Sequence, residues 1–278
     1  MKFSGGGTKM SRAAITRYTV DTGKQLTEPI RIAHVSDLHE RNSDDVLSML
    51  KAEKPDLIMV TGDTFERYDN RPQYEFYRRP VKRLIINVIH YSNYILTKFE
   101  PKRLKADEEN VLRFLSEAVK TAPVYMSLGN HEQKLLYRDY AFLKKQGIIL
   151  LDNADTVVEL KGFRFLLGGM SCWDFEEWFP TFLEKDGYKI LLCHKPNQYM
   201  DFVKDKGVDL TLSGHTHGGQ MLIGRKGMGF FVPGQGLFGK YAHGSFCDGR
   251  LIVSAGCANT VAFPRIFNPR ELVMITLK

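Results

Sequence analysis

The chain has 278 residues, 43% apolar and 26% charged, with a formal net charge of +7. This is the composition of an ordinary soluble globular protein, long enough for one large domain or two small ones. No run approaches the roughly 20 apolar residues needed to cross a bilayer, and Met1–Met10 lacks the apolar segment of a secretory signal, so the chain as written reads as cytoplasmic or peripheral at a membrane.

In chain order, residues 1–13 carry a Gly triplet and read as a flexible leader or tag remnant, ahead of one domain over 14–278. Ala14–Val20 predicts an edge strand. Ile30–Ser36 predicts a strand, Asp44–Glu53 a short helix capped by Ser43 or Asp44, and Pro55–Thr61 the next strand. Helices are expected at about Asp107–Lys120 and His131–Gln146, with a strand ending at Gly129 between them. From Gly147 the pattern turns to strands at Ile148–Leu151, Thr156–Leu160 and Phe163–Gly168. Tyr188–Leu192, Val208–Leu212, Gln220–Ile223, Leu251–Ala255 and Glu271–Leu277 follow, with helices near Phe175–Glu184 and Asn197–Asp205. Two facing sheets with helices outside are the simplest arrangement. Cys172 and Cys193 show no metal-type spacing, and Cys247 and Cys257 flank a strand and could pair.

Polar clusters close five of the apolar strands. They are Ser36-Asp37-Leu38-His39, Thr61-Gly62-Asp63, Leu128-Gly129-Asn130-His131-Glu132, Cys193-His194 and Ser213-Gly214-His215-Thr216-His217-Gly218-Gly219. Residues two apart in extended chain point the same way, so Asp37 with His39, and His215 with His217, can each present two ligands to one side. Mixed imidazole and carboxylate donors suit Zn, Mn or Fe rather than Ca or an all-oxygen Mg site. Gly62, Gly129 and Gly214 sit beside ligands, where a positive φ and close backbone approach are expected. Five of the eight histidines fall on these positions, whereas His34, inside a strand, reads as a core residue and His90 and His243 belong to no motif.

The order D-x-H, G-D, G-N-H-E, H, G-H-x-H resembles the calcineurin-like metallophosphoesterase superfamily from about Ile30 to the C-terminus. The resemblance implies a four-layer αββα sandwich of two facing mixed β-sheets flanked by helices. It assigns one divalent metal to Asp37, His39, Asp63 and His217, and a second to Asp63, Asn130, His194 and His215. Asp63 then bridges, Asn130 also faces the substrate, and a metal-bridging hydroxide attacks phosphorus. His131 is left to act as the general acid on the leaving oxygen. Glu132 has two open readings, either orienting a histidine or opening the next helix.

Residues 66–106 contain ten Lys or Arg against four Asp or Glu, which accounts for nearly all of the chain's net charge. Val81–Phe99 has apolar residues at near-helical spacing with basic clusters at both ends. A basic amphipathic helical insert of this kind fits a solvated excursion, contact with an anionic membrane or phosphorylated lipid, or a groove for nucleic acid. The segments Gly214–Gln220, Pro233–Tyr241 and Arg265–Leu272 resemble the bacterial branch that includes YkuE and YaeI, and more distantly the enzymes that cleave the pyrophosphate of UDP-diacylglucosamine. The Ser/Thr protein phosphatases have G-D-x-x-D-R-G where this chain has Gly62-Asp-Thr-Phe-Glu-Arg-Tyr68, which argues against phosphoprotein substrates. The expectation is a phosphodiesterase or pyrophosphatase acting on a lipid-linked or membrane-associated substrate, with Arg67 reaching a substrate phosphate. The alternatives are a nuclease or nucleotide phosphodiesterase, and a non-catalytic metal-binding scaffold.

Overall fold

A computed structural model describes residues 13–67, 106–223, 227–260 and 265–278. The leader, apart from Ala13, and the basic insert, apart from its ends, lie outside these residues. Six strands form the first sheet: β1 (Ala14–Val20), β2 (Ile30–Val35), β3 (Leu57–Thr61), β4 (Val124–Ser127), β5 (Ile149–Leu151) and β15 (Glu271–Leu277), in the order β1-β15-β2-β3-β4-β5. The second sheet has β6 (Ala154–Leu160), β7 (Phe163–Met170), β8 (Tyr188–Cys193), β9 (Leu210–Ser213), β13 (Gly244–Phe246) and β14 (Leu251–Val253), in the order β13-β14-β9-β8-β7-β6. Both are mixed. Strands β2 to β5 run parallel in one sheet, and β7, β8, β9 and β14 run parallel in the other.

The central strands are apolar on both faces, as parallel strands covered on both sides must be. The two-residue period then divides their side chains between layers. Ile30, Ile32, Leu57, Met59, Ile190, Leu192, Val273 and Ile275 pack between the sheets. Ala33, Val35, Ile58 and Val60 face the other way, into a core shared with α1 (Asp44–Glu53), α2 (Glu108–Ala118) and α3 (Tyr137–Gln146). Leu166, Leu191 and Val253 pack under α4 (Trp178–Glu184) and α5, a short turn at Pro196–Gln198 that widens through Tyr199–Val203. This is the expected four-layer sandwich. Among the described residues no helix is long and apolar enough to cross a membrane.

Three details differ from the sequence expectation. Helix α3 begins at Tyr137 rather than His131, and Asp139 accepts the Leu136 amide at the helix start. A third, small sheet of β10 (Leu222–Ile223), β11 (Met228–Val232) and β12 (Gly236–Gly239) was not anticipated beyond its first strand. Cys247 and Cys257 are free thiols. Cys257 belongs to the helix-covered core of the first sheet and Cys247 packs against that of the second, so they cannot meet.

Candidate metal centre

Strands β2, β3, β4, β8 and β9 all deliver their carboxyl ends to one edge of the sandwich, the place where open α/β sheets form their sites. Asp37 and His39 follow β2, Asp63 follows β3, Asn130 and His131 follow β4, His194 follows β8, and His215 and His217 follow β9. Asp37, His39, His194 and Asp63 are almost wholly buried, and Asn130 nearly so. Three groups of donors emerge among the described residues, Asp37 with His39 and His217, His39 with Asp63 and His131, and Asp63 with His194 and His215, each with ligand atoms within 4.8 Å of one another.

Asp63 stands between the groups. Its Oδ2 lies 3.1 Å from His194 Nε2, 3.7 Å from His39 Nε2 and 3.7 Å from His131 Nε2. Its other oxygen accepts the His131 backbone N–H at 2.8 Å, which fixes the carboxylate's direction. Asp37 lies 3.8 Å from His39 Nε2 and 3.6 Å from His217 Nε2, and accepts the His215 amide. His194 is turned by its Nδ1, which donates to the Thr61 carbonyl at 2.6 Å and leaves Nε2 facing inward.

The backbone here is held in costly conformations. Asp37, His39, Asp63, His215 and His217 all have positive φ, between 48° and 70°. Each such non-Gly residue costs of order 1 kcal/mol or more and persists only where its surroundings over-determine it. Gly62 has the expected positive φ of 83°, but Gly129 is needed for space: a Cβ there would lie 2.2 Å from Asp63 Oδ1. Glu132 resolves to neither of its two readings. Its carboxylate accepts the backbone N–H groups of Asp63, Thr64, Phe65 and Gly129, so it ties the β3 loop to the β4 loop. Burial and the Asp63 carboxylate push Glu132 up to about 7, against the amide donors that favour its ionised form.

The electrostatics suit cations. Burial alone would raise Asp37 and Asp63, but the surrounding imidazoles hold both well below the usual carboxylate range. Burial opposes a charge on His39, yet Asp37, Glu66 and Asp63 raise it to about 10, which marks a position where positive charge is favoured. Burial holds His217 down to about 3 and His215 well below its ordinary value, and neutral imidazole is the form that binds metal. Four inward donor atoms, His39 Nε2, Asn130 Oδ1, His194 Nε2 and His215 Nε2, are buried without a hydrogen-bond partner. Buried polar atoms are normally satisfied. Their convergence on two acids fits divalent cations.

Glu66 is the residue that sequence reasoning missed. One of its oxygens pairs with His39 Nδ1 and the other with His131 Nδ1, each at 2.8 Å. The two rings meet edge-on with centroids 4.4 Å apart. The signal was present in the acid three residues after Asp63, at the position where the G-D-x-x-D-R-G pattern also has one.

Arg67 does not do what the sequence suggested. Its guanidinium donates to Asp139 (2.8 Å from both Nε and Nη2), Glu40 (2.6 Å), Glu108 (2.8 Å) and the Glu66 carbonyl (3.2 Å). All five N–H groups are engaged and the side chain is only 8% exposed. It braces the loop after β3 against α2 and α3 and has no donor left for a phosphate. His34 is the core residue expected, fully buried with Nε2 2.8 Å from Thr61 Oγ1, and His243 pairs with Glu271 at 2.8 Å.

Residues 30–219 match the profile of the calcineurin-like phosphoesterase family. The chain belongs to that family. It is 26% identical over 283 residues to a metallophosphoesterase of Aquifex aeolicus, covering 95% of this chain and 91% of that one. It is 24% identical to the phosphodiesterase YaeI of Escherichia coli, covering 81% and 77% of the two chains. YpbG of Bacillus subtilis is 27% identical over 72% of this chain, which spans 65% of YpbG's own length. The family membership makes the protein a phosphoester hydrolase, and the acid and imidazole clusters are its candidate metal ligands.

Proposed function

We propose that this phosphoesterase is a phosphodiesterase or pyrophosphatase with two divalent cations, acting on a lipid-linked or membrane-associated substrate. One observation carries the two-cation reading. The Asp63 carboxylate faces imidazole nitrogens of both outer donor groups at 3.7 and 3.1 Å, and those nitrogens are buried without a hydrogen-bond partner. Asp37, His39, Asp63 and His217 would hold one cation, and Asp63, Asn130, His194 and His215 the other. The nitrogen and oxygen donors favour Mn, Fe or Zn. When bound, the cations supply Lewis-acid polarisation of a phosphoryl oxygen and a water acidic enough to ionise near neutral pH.

The chain's own residues do the rest. His131 is partly exposed at the mouth, with Nδ1 held by Glu66 and Nε2 turned toward the site. That orientation supports the reading in which His131 gives a proton from Nε2 to the leaving oxygen as general acid. Glu66 fixes the ring orientation that this transfer needs. Glu132 ties the loops of Asp63 and Asn130 together, and Asn130 Oδ1 is buried without a hydrogen-bond partner. The diester preference draws support from the name of YaeI. The membrane element draws support from the basic charge of 66–106.

Hydrolysis of bis-p-nitrophenyl phosphate beside p-nitrophenyl phosphate, by chelator-stripped protein resupplied with Mn, Zn or Fe, tests this reading. Metal-dependent turnover of the diester in excess of the monoester is expected. A metal-loaded protein that cleaves only the monoester would overturn the diesterase assignment.

A further inference from the structure

Strand β7 runs parallel to β8 and β9, so its carboxyl end opens at the same edge as the donor loops. Met170 pairs with Cys193 at the last register position of β7 and β8. Ser171-Cys172-Trp173 and His194-Lys195 therefore leave the sheet side by side. The first of these loops supplies none of the candidate donors found among the described residues. It is nevertheless firmly built. Asn153 accepts the Ser171 amide at 2.9 Å and donates to the carbonyls of Trp173 and Asp174 at 2.9 and 3.1 Å. Gln198 of α5 donates to the Ser171 carbonyl at 3.4 Å, and the Lys195 carbonyl accepts the amides of Gln198 and Tyr199 at 3.0 and 3.4 Å.

Together the two loops set one cation over one ring. Lys195 Nζ stands 5.1 Å from the centroid of the Trp173 ring, a cation–π distance, and the indole is 39% exposed. Among the described residues no carboxylate pairs with this ammonium. A lysine on the open surface needs no partner, but Lys195 is partly buried and directly follows a candidate ligand. Its charge reaches the donor group: burial, then His194, Asp63 and Lys195 act on His215, with a net shift well below its ordinary value. It reaches the neighbouring loop too. Burial pushes the Cys172 thiol well up, Lys195 opposes the rise, and Asp63 and Glu132 add to it. A cation so placed repels the metal ion proposed for Asp63, Asn130, His194 and His215. An anion bound between the two offsets that repulsion, and a phosphoryl group with charged oxygens is such an anion.

We infer that Lys195, steadied by the Trp173 ring, holds a second phosphoryl group beside the one attacked at the metal centre, and so selects pyrophosphate-linked substrates over simple diesters. The inference rests on the two-cation reading above and narrows its substrate. A pyrophosphate diester carries one more negative charge than a simple diester, and that charge sits on the group next to the attacked phosphorus. Hydrolysis consumes one water. Its oxygen bonds to the attacked phosphorus, the bridging oxygen departs with the electron pair of the broken bond, and the two protons of the water end on the two monoester products or in solvent. The departing phosphoryl group gains charge as the bond breaks, and Lys195 meets that charge.

The test compares kcat/KM for symmetric diphenyl pyrophosphate, read as phenyl phosphate by chromatography, with kcat/KM for bis-p-nitrophenyl phosphate, on the full chain loaded with Mn. Both esters have aryl ends, so the ratio isolates the second phosphoryl group. Lys195→Met keeps most of the apolar stem and should lower that ratio by roughly 10–100-fold, the range of a lost charge-assisted hydrogen bond, chiefly through KM for the pyrophosphate. Lys195→Arg should restore most of it. Trp173→Leu, which removes the ring that positions the ammonium, should lower the ratio less than Lys195→Met, and Trp173→Phe less still. An unchanged ratio in Lys195→Met would overturn the inference, whether the two activities fell together or not at all. Loss of bound metal in that variant would also overturn it, making the residue a support of His194. A wild type that cleaves the diester but not the pyrophosphate would overturn it and leave the phosphodiesterase reading standing. A metal-loaded wild type that cleaves neither would overturn both.

Discussion

Asp63 has its carboxylate within 3.7 Å of imidazole nitrogens from His39, His131 and His194. Asp63→Ala should therefore bring diester turnover to background and remove bound metal, read by elemental analysis. His131→Ala should keep the metal and lower turnover by roughly 10²–10⁴-fold, the span of a lost general acid. Equal metal loss in both variants would make His131 a ligand instead. Glu66→Gln retains shape but weakens its hold on both rings, and a loss of about 10–100-fold is expected for such an outer partner. At this scale the candidate ligands could be named because their types and order were in the sequence, and the fold brings them together. Glu66 and Glu132 were not, since a carboxylate is defined by what it meets. Those partners come from residues up to 69 positions away. Arg67 misled for the same reason: an arginine beside a motif suggests a phosphate until Glu40, Glu108 and Asp139 are seen around it.

The loop after β3 depends on that arginine, and its removal would leave Asp139 and Glu40 charged and unpaired inside the protein. Arg67→Ala should destabilise by about 3 kcal/mol, the lower end for breaking a buried ion pair. KM for the soluble diester should not change in the folded fraction; a raised KM with unchanged stability would restore the substrate-binding reading. His34 links β2 to β3 and carries a pH dependence of its own. Burial lowers it from 6.5 to about 4. The unfolded chain thus binds the proton first, so stability contributed by this residue is lost as pH falls from about 6.5 toward 4, by about 1.4 kcal/mol per unit. In metal-free protein, His34→Gln should flatten that part of the stability profile in denaturant titrations; an unchanged slope would show that another group sets it. Strands such as β1 and β15 were legible to the residue because their apolar pattern is long. The start of α3 was not, because Glu132 is tied to the loops after β3 and β4 and it is Asp139 that caps the helix, through the Leu136 amide. The small sheet escaped because its short strands are separated by glycines and lack a sustained period.

Across the whole molecule, the alternation of apolar strands and helices sufficed to predict two covered sheets. The strand-end position of each polar cluster sufficed to predict convergence at one edge. What the sequence could not show is that the two sheets meet so that β2, β3 and β4 face β8 and β9 with their carboxyl ends together. That depends on the packing of Ile32, Met59, Ile190 and Leu212 between them. With the proposed ligands drawn from both sheets, bound metal would stabilise the fold by mass action. Chelator should therefore lower the melting temperature of the wild type and leave that of Asp63→Ala unchanged. The most direct measurement is a titration of metal-free protein with Mn²⁺, with bis-p-nitrophenyl phosphate turnover and bound metal followed together. The account predicts that turnover reaches its maximum as the second equivalent binds. Full turnover at one equivalent, or turnover without any metal, would contradict it.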